Sequence, residues 1–372
     1  MGADVRDWIA LSLVTGVGSR TAGRLLDHFG SPTEVFAASR SALQAFGLED
    51  EVIDRIRSEE PRRQADEEMA KLARLGAEAL TLEDPRYPPL LRRIYDPPIV
   101  LYALGRVEVL AAPMLAIVGT RQPSPYGVNV ATQLARDLAG RGLVIVSGFA
   151  RGIDAAAHRG ALEANGRTVA VFGTGLDVVY PREHRALAEQ IRQQGVLLTE
   201  FPMGVSPLPQ NFPFRNRIIS GLSLGVVVVE AAQHSGSLIT ARLALEQDRD
   251  VFAVPGPITS PRSYGPNYLI KCGAKLVQYW RDVVEELPLN VRTEILRRES
   301  EAAPTAAVQP ELPLDEHERR VLELLQVDAP THIDELLQRS GLAVPELMRV
   351  LLELEVKDRI RQLPGKQFVK KL

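Results

Sequence analysis

Between Met114 and Gly256 one pattern repeats: a short uninterrupted apolar run, a Gly-rich or polar turn, then a helical segment. The run at 114–118 stops at Gly119-Thr120-Arg121, and the run at 143–146 stops at Ser147-Gly148. Those at 169–172, 197–198, 226–229 and 251–254 stop at Gly173-Thr174-Gly175, Thr199-Glu200, Glu230 and Pro255-Gly256. Continuous apolar runs of this length read as parallel strands buried on both faces. Alternation with helices predicts a doubly wound, extended Rossmann-like parallel sheet. Ligands of such sheets lie beyond the carboxyl ends of the strands, which is where all of these turns fall.

Composition narrows the class of protein. With 45% apolar residues the chain can bury a large core, and its 372 residues suggest two to four domains. The single Cys272 excludes an internal disulfide and a cysteine-rich zinc site, and the histidines show no ligand spacing. No apolar run approaches the roughly 18 residues of a membrane span, and the N-terminus lacks a signal segment. The expectation is a soluble, cytoplasmic protein with no membrane contact, metal or cofactor. Formal net charge is −3, so a polyanion site has to be a local basic patch.

Residues 1–75 read as a helical domain. Val14-Thr15-Gly16-Val17-Gly18-Ser19-Arg20-Thr21-Ala22 followed by Leu25-Leu26 matches a helix-hairpin-helix pattern, which could hold a DNA phosphate at the start of its second helix or pack as a plain helical turn. Ser31-Pro32 reads as an N-cap and first helical position, and Gly47 precedes an amphipathic stretch at 52–75. Strands at 79–82 and 99–104, separated by proline-rich turns, lead into a sheet domain spanning 76–289. Residues 290–314 have linker character, with Ala302-Ala303-Pro304-Thr305-Ala306-Ala307 flexible. Residues 315–372 read as a winged helix: helices at 318–326, 333–340 and 345–357, then a hairpin turning at Pro364-Gly365. The last of those helices carries Glu346, Glu353 and Glu355. Such a helix repels a phosphate backbone, so a protein contact is expected of this domain rather than duplex reading.

Within the sheet domain the strand ends carry the chemistry. Gly119, Thr120, Arg121 and Ser124, ahead of a helix, can bond a phosphate through hydroxyls, backbone N–H groups and a guanidinium. Ser147, Gly148, Phe149, Arg151 and Gly152 repeat the design, with Asp154 an N-cap or first-turn acid and His158 a packed core residue. In Asn211-Phe212-Pro213-Phe214-Arg215-Asn216-Arg217 aromatics alternate with arginines just before a helix. Aromatic faces stack on unpaired bases and arginines follow the backbone. Arg215 and Arg217 cannot both face the core cheaply, unless one pairs with Glu200 or Glu230. Ser235, Gly236 and Ser237 open another helix as an anion nest. Gly173-Thr174-Gly175 lacks the third glycine of a dinucleotide fingerprint, and no turn fits a P-loop.

The blocks Ile-Val-Gly-Thr-Arg (117–121), Ser-Gly-Phe-Ala-Arg-Gly-Ile-Asp-Ala-Ala-Ala-His (147–158), Phe-Pro-x-Arg-Asn-Arg-Ile-Ile-Ser-Gly-Leu-Ser (212–223), Val-Val-Glu-Ala-x-x-x-Ser-Gly-Ser-Leu-Ile-Thr-Ala (228–241) and Asn-Tyr-Leu-Ile-Lys-Cys-Gly-Ala (267–274) resemble the DNA-processing protein A family, DprA/Smf. The resemblance covers the whole central region, and the helical and winged-helix flanks agree with it. It implies a non-catalytic single-stranded DNA-binding protein of natural transformation and homologous recombination. Such a protein protects incoming strands, helps load the RecA recombinase and works as a homodimer. It places the DNA pocket at Arg121, the 147–152 turn, Phe212 and 215–217. Where some relatives carry a lysine, this chain reads Ser206-Pro207-Leu208-Pro209-Gln210.

Residues 264–280 gather Tyr268, Leu269, Ile270, Leu276, Val277, Tyr279 and Trp280, more apolar surface than one edge strand covers. A dimer interface including Ile270 and Leu276 is expected there; the alternative is that these side chains fold back onto 79–104. Two rival functions remain. One is an enzyme resembling nucleotide phosphoribohydrolases, although Ile239 and Thr240 stand where those enzymes place glutamates. The other is an interaction protein that binds no DNA.

Overall fold

The computed structural model describes residues 4–302, 314–327, 329–357 and 359–371. Nine strands form one sheet: β1 Glu78–Thr81, β2 Val100–Gly105, β3 Met114–Val118, β4 Val144–Ser147, β5 Thr168–Val171, β6 Val196–Thr199, β7 Gly225–Val228, β8 Asp250–Ala253 and β9 Lys275–Leu276. Their order is β1-β2-β6-β5-β4-β3-β7-β8-β9. From β6 to β9 all pairs are parallel, and β1 and β2 are antiparallel additions beyond β6. The apolar runs became strands within about a residue of their expected places, and the doubly wound architecture is observed. Every residue of β3 to β7 is buried. Strands covered on both faces have no solvent side to alternate with, so their sequence cannot alternate either. The parallel part starts at β3, steps outward through β4, β5 and β6, then returns to the other side of β3 as β7. The order therefore reverses between β3 and β7, and a crevice opens beyond their carboxyl ends.

The N-terminal helices, Val5–Leu13, Ser19–Phe29, Pro32–Ala37, Arg40–Phe46, Asp50–Arg57 and Glu60–Leu75, do not enclose a core of their own. Trp8, Ile9, Leu25 and Ile53 belong to one buried cluster with Tyr102, Phe172, Leu187 and Met203. The Glu68 carboxylate, 2% exposed, accepts the Met203 N–H at 2.6 Å. A boundary at residue 75 thus cuts through a shared interior. The amphipathic stretch 52–75 is broken at Ser58-Glu59, with Pro61 in the first turn of the following helix. Ser31 caps its helix as expected, accepting from Glu34 N–H at 3.2 Å. The glycine hairpin touches the sheet domain: Ser19 Oγ accepts from Arg217 at 3.1 Å, and Arg20 lies over the exposed Tyr95 ring at 4.3 Å.

At the other end, part of the expected linker is a helix, Leu289–Ala302. Ile295 is 3% exposed and buried with Trp280, Val283 and Val284, because that apolar face completes the cover over one side of the sheet. The linker stretch 303–313 lies outside the described residues. Beyond it, helices Glu316–Leu324, Ile333–Ser340 and Val344–Val356 pack with β10 Thr331–His332, β11 Ile360–Leu363 and β12 Gln367–Lys370. The winged helix is as read from the sequence, plus the short strand β10.

In the 264–280 segment, Val277 and Trp280 are buried, whereas Tyr264, Tyr268, Leu276 and Tyr279 are exposed and Ile270 is half-buried. They cannot fold onto β1 and β2, which form the opposite edge of the sheet.

His158 is a packed core residue, as expected. It is fully buried, and its Nδ1 lies 2.7 Å from Thr168 Oγ1. That hydroxyl donates to Ile145 O at 2.6 Å, so it accepts a hydrogen bond from Nδ1–H. Burial pushes the His158 pKa down to about 3, helped by His184, Arg215 and Arg159. The folded protein therefore excludes a proton that the unfolded chain takes up below about pH 6.5. Stability from this group is complete above that pH and falls by about 1.4 kcal/mol per pH unit on acidification. Urea unfolding at pH 7 and pH 5 should show His158→Gln losing about 2 kcal/mol less than the wild type over that interval.

Candidate nucleic-acid interface

The crevice at the reversal of strand order is a cleft of about 860 Å³. Gly119, Thr120, Arg121, Phe212, Arg215, Asn216, Ser235, Gly236 and Ser237 line it. Gly148, Phe149 and Arg151 line a small crevice beside it, sharing Arg121, Tyr180 and Phe212 with the main cleft. Ser147, Gly152 and Arg217 do not reach either space. The Ser147 hydroxyl is fully buried and donates to Ile117 O at 2.6 Å. Gly152 sits at φ +80°, where a Cβ would come within 2.4 Å of Thr120 O. Its part is to let the turns after β3 and β4 touch.

The helix Asn211–Leu222 explains how one stretch divides its side chains. The sequence suggested an irregular loop here, but the stretch is the first two turns of that helix. At 3.6 residues per turn, Phe212, Arg215, Asn216 and Ile219 share a face, and that face lines the cleft. Phe214 and Arg217 share another and point away. Arg217, 3% exposed, pairs with Glu200 and, at 3.1 Å, with Asp96, under the Phe214 ring at 4.3 Å. Burial pushes the Glu200 carboxyl up and Arg217 opposes it. Assigning Arg217 to a ligand is thereby corrected: its charge is committed to joining β6, the 84–98 turns and the N-terminal hairpin.

Arg215 is as deeply buried as Arg217 but faces the cleft floor. It donates to Gly148 O at 2.6 Å and to Val171 O. Burial lowers its pKa to about 10, against the pull of Asp154. Burial raises the Asp154 carboxyl, opposed by Arg215 and by the Ala150 N–H it accepts at 3.2 Å. Asp154 is the first-turn acid that the sequence suggested.

Two of the helix N-termini near this cleft differ. Ahead of Pro125–Gly140, Ser124 caps the helix, but the Glu230 carboxylate already occupies the position expected for a phosphate. It accepts Ser124 N–H at 2.8 Å and Ser124 Oγ at 2.5 Å, and a Cβ on Gly127 would lie 2.4 Å from it. An internal anion satisfies the helix dipole, so a phosphate there would be repelled. The helix Gly236–Glu246 has no acid in its first turn and only the Ser235 cap, whose hydroxyl lies 2.8 Å from that of Ser237. That terminus remains available to an anion.

Across from it the Arg121 guanidinium, exposed, lies 5.3 Å over the Phe212 ring. His234, at the start of the Ser235–Ser237 nest, lines the cleft too; Tyr180, Gln122 and Thr240 also line it and were not singled out as binding residues from the sequence. Thr240 follows Gly236 by one helical turn, a spacing that could have found it. Tyr180 belongs to the irregular turn after β5, where no period exists to follow. Among the described residues, no group of three or more His, Cys, Asp or Glu could hold a metal ion. No described helix is long and apolar enough to cross a membrane.

Residues 78–288 match the family model described as DNA recombination-mediator protein A, and residues 304–366 match the DprA winged helix domain. Protein Smf of Escherichia coli (strain K12) is 42% identical over 306 residues, covering 82% of this chain and 80% of its own. The X-ray structure of DNA processing protein A from Streptococcus pneumoniae superimposes with a TM-score of 0.63 at 35% identity, over 78% of this chain and all of that one. DNA processing protein A from Helicobacter pylori, whose structure is described as showing a single-stranded DNA binding mode, aligns with a TM-score of 0.51 at 32% identity, over 60% of this chain and 96% of that one.

Removing one member of a buried ion pair strands the other. Arg217→Ala should therefore destabilise the protein by about 3–5 kcal/mol in urea unfolding. Replacing Arg217 and Glu200 together by leucine should recover most of that loss.

Proposed function

We propose that this chain, which belongs to the DNA recombination-mediator protein A family, binds single-stranded DNA in the cleft beyond β3 and β7. The observation that carries the reading is the Phe212–Arg215–Asn216 face, with Arg121 over the Phe212 ring and the open helix start at Ser235-Gly236-Ser237 opposite. An aromatic face, two guanidinium groups and an anion nest suit unpaired bases on a charged backbone. A duplex offers neither exposed base faces nor a strand able to enter such a cleft. Asp154 and Glu230 are engaged by backbone and serine donors, which favours binding without catalysis over glycosidic hydrolysis. The role is protection of incoming strands in natural transformation and homologous recombination, with help in loading the RecA recombinase, in the cytoplasm.

The same reading includes a homodimer formed through β9 and the preceding helix Tyr264–Lys271. Leu276 is 39% exposed on the terminal strand, beside the stacked, exposed rings of Tyr264 and Tyr268. The winged helix takes a protein contact. Its helix Val344–Val356 exposes Val344, Met348, Leu352 and Val356, four apolar residues on one face of a helix that also carries three glutamates.

Binding assays across a salt series should show single strands held well above duplexes of equal length, with little sequence dependence; equal affinity overturns the reading. Arg121→Ala should weaken binding by about 1–3 kcal/mol and lower the salt slope by about 0.7, the single-strand value per phosphate. An unchanged slope would remove Arg121 from the DNA contacts. Light scattering should show Ile270→Glu or Leu276→Glu as a folded monomer, and variants that remain dimeric would place the interface elsewhere.

A further inference from the structure

The main cleft and the small crevice beside it meet at Tyr180, which lines both and is 38% exposed. Its ring centroid lies 5.7 Å from that of Phe212, with the planes inclined at 44°. At that angle the rings do not stack on one another, so Tyr180 keeps a face for another partner. Phe212 is held in place: a Cβ on Gly173 would come within 3.0 Å of its ring, and Arg121 lies over it. Beyond Tyr180 stands Arg151, which lines the small crevice, is more than half exposed and pairs with Glu183, itself 52% exposed. Arg121, Phe212, Tyr180 and Arg151 all line the small crevice, with Arg121 over the first ring and the second ring beside it. A single strand asks for that combination of stacking faces and phosphate partners. An exposed Arg–Glu pair contributes little in water, so a phosphate can displace Glu183 from Arg151.

We propose that Tyr180 and Arg151 form a second nucleotide subsite next to Phe212, and that Glu183 competes with DNA phosphate for Arg151. This rests on the single-strand reading of the cleft. Tyr180 stacks the base adjacent to the one on Phe212, and Arg151 takes the phosphate between them or the one following. Glu183 weakens binding, because its charge must be moved aside whenever the subsite fills.

The test is anisotropy titration of labelled oligothymidylates of increasing length, over a salt series, with the full chain. Phe212→Ala serves as the control for the main cleft. Tyr180→Ala should weaken binding of strands long enough to leave the cleft by about 5- to 150-fold, the range for one lost base stack. Tyr180→Phe, which keeps the ring, should recover that loss. Glu183→Gln should tighten binding severalfold and steepen the salt slope by about 0.7, as one more cation becomes available. Glu183 is a surface residue, so this variant decides the matter even if Tyr180→Ala folds poorly. If Phe212→Ala weakens binding while Tyr180→Ala and Glu183→Gln behave as the wild type, the second subsite is overturned and the cleft reading stands. If the wild type binds no single strands, the cleft reading fails and takes the subsite with it.

Discussion

Glu230 follows β7 at the point where the strand order reverses, and the geometry of the cleft depends on what its carboxylate does. Its two oxygens hold the backbone and hydroxyl of Ser124, while its carbonyl accepts the Thr120 N–H at 2.7 Å. One residue therefore ties the turn after β3 to the strand beside it and closes the start of the helix Pro125–Gly140. A carboxylate at a helix N-terminus is favoured by the aligned peptide dipoles and by the orphan N–H groups. The consequence is selective. Of the helix starts at Ser124 and Ser235, the protein fills the first with its own anion and leaves the second for another. Arg121, in the turn that Glu230 braces, is thereby held at the mouth of the cleft rather than collapsed over it.

The cleft floor obeys a second constraint. A guanidinium keeps its charge even when buried, so it needs acceptors wherever it is placed. Arg217 finds carboxylates and becomes internal structure. Arg215 finds two carbonyls, Gly148 O and Val171 O, with Asp154 nearby. Carbonyl partners satisfy its donors while Asp154 offsets part of its charge, so the positive potential that remains lies under the cleft. Low-dielectric walls concentrate that potential, which suits capture of a polyanion by a protein of net charge −3.

What could be read in the sequence divides along the same lines. The strands were legible because burial on both faces removes alternation and leaves uninterrupted runs such as Leu-Ala-Ile-Val. The turns at Gly119 and Ser235 were legible because each follows such a run or precedes a helix. The occupancy of the helix start at Ser124 was not, since the occupant lies over a hundred residues away. Residues 211–217 were misread as a loop because Pro213 and the alternation of aromatics with arginines resemble irregular chain. Pro213 in fact sits in the first turn of the helix, where its missing N–H does no harm. Counting by three and four from Phe212 separates Arg215 from Arg217. The stretch at 289–302 was misread because its many charges outweigh Val291 and Ile295 in composition, although those two apolar residues are what dock it. Tyr180 carries no period at all, and only the folded chain brings it to Phe212.

The remaining apolar surface argues for a division of labour. The third helix of the winged domain, the one that in a duplex-reading domain enters the groove, shows Val344, Met348, Leu352 and Val356 to solvent and carries three glutamates. Apolar side chains lose nothing by meeting another protein, whereas the acids would meet phosphate at a penalty. The 264–280 edge is likewise apolar, and an uncovered sheet edge is a liability unless something pairs with it. The proposed DNA and protein contacts thus fall on different surfaces. A strand held by a few stacked bases and salt-sensitive phosphate contacts leaves any one cleft readily. In the dimer proposed above, two such clefts joined through an apolar edge would retain it by effective concentration.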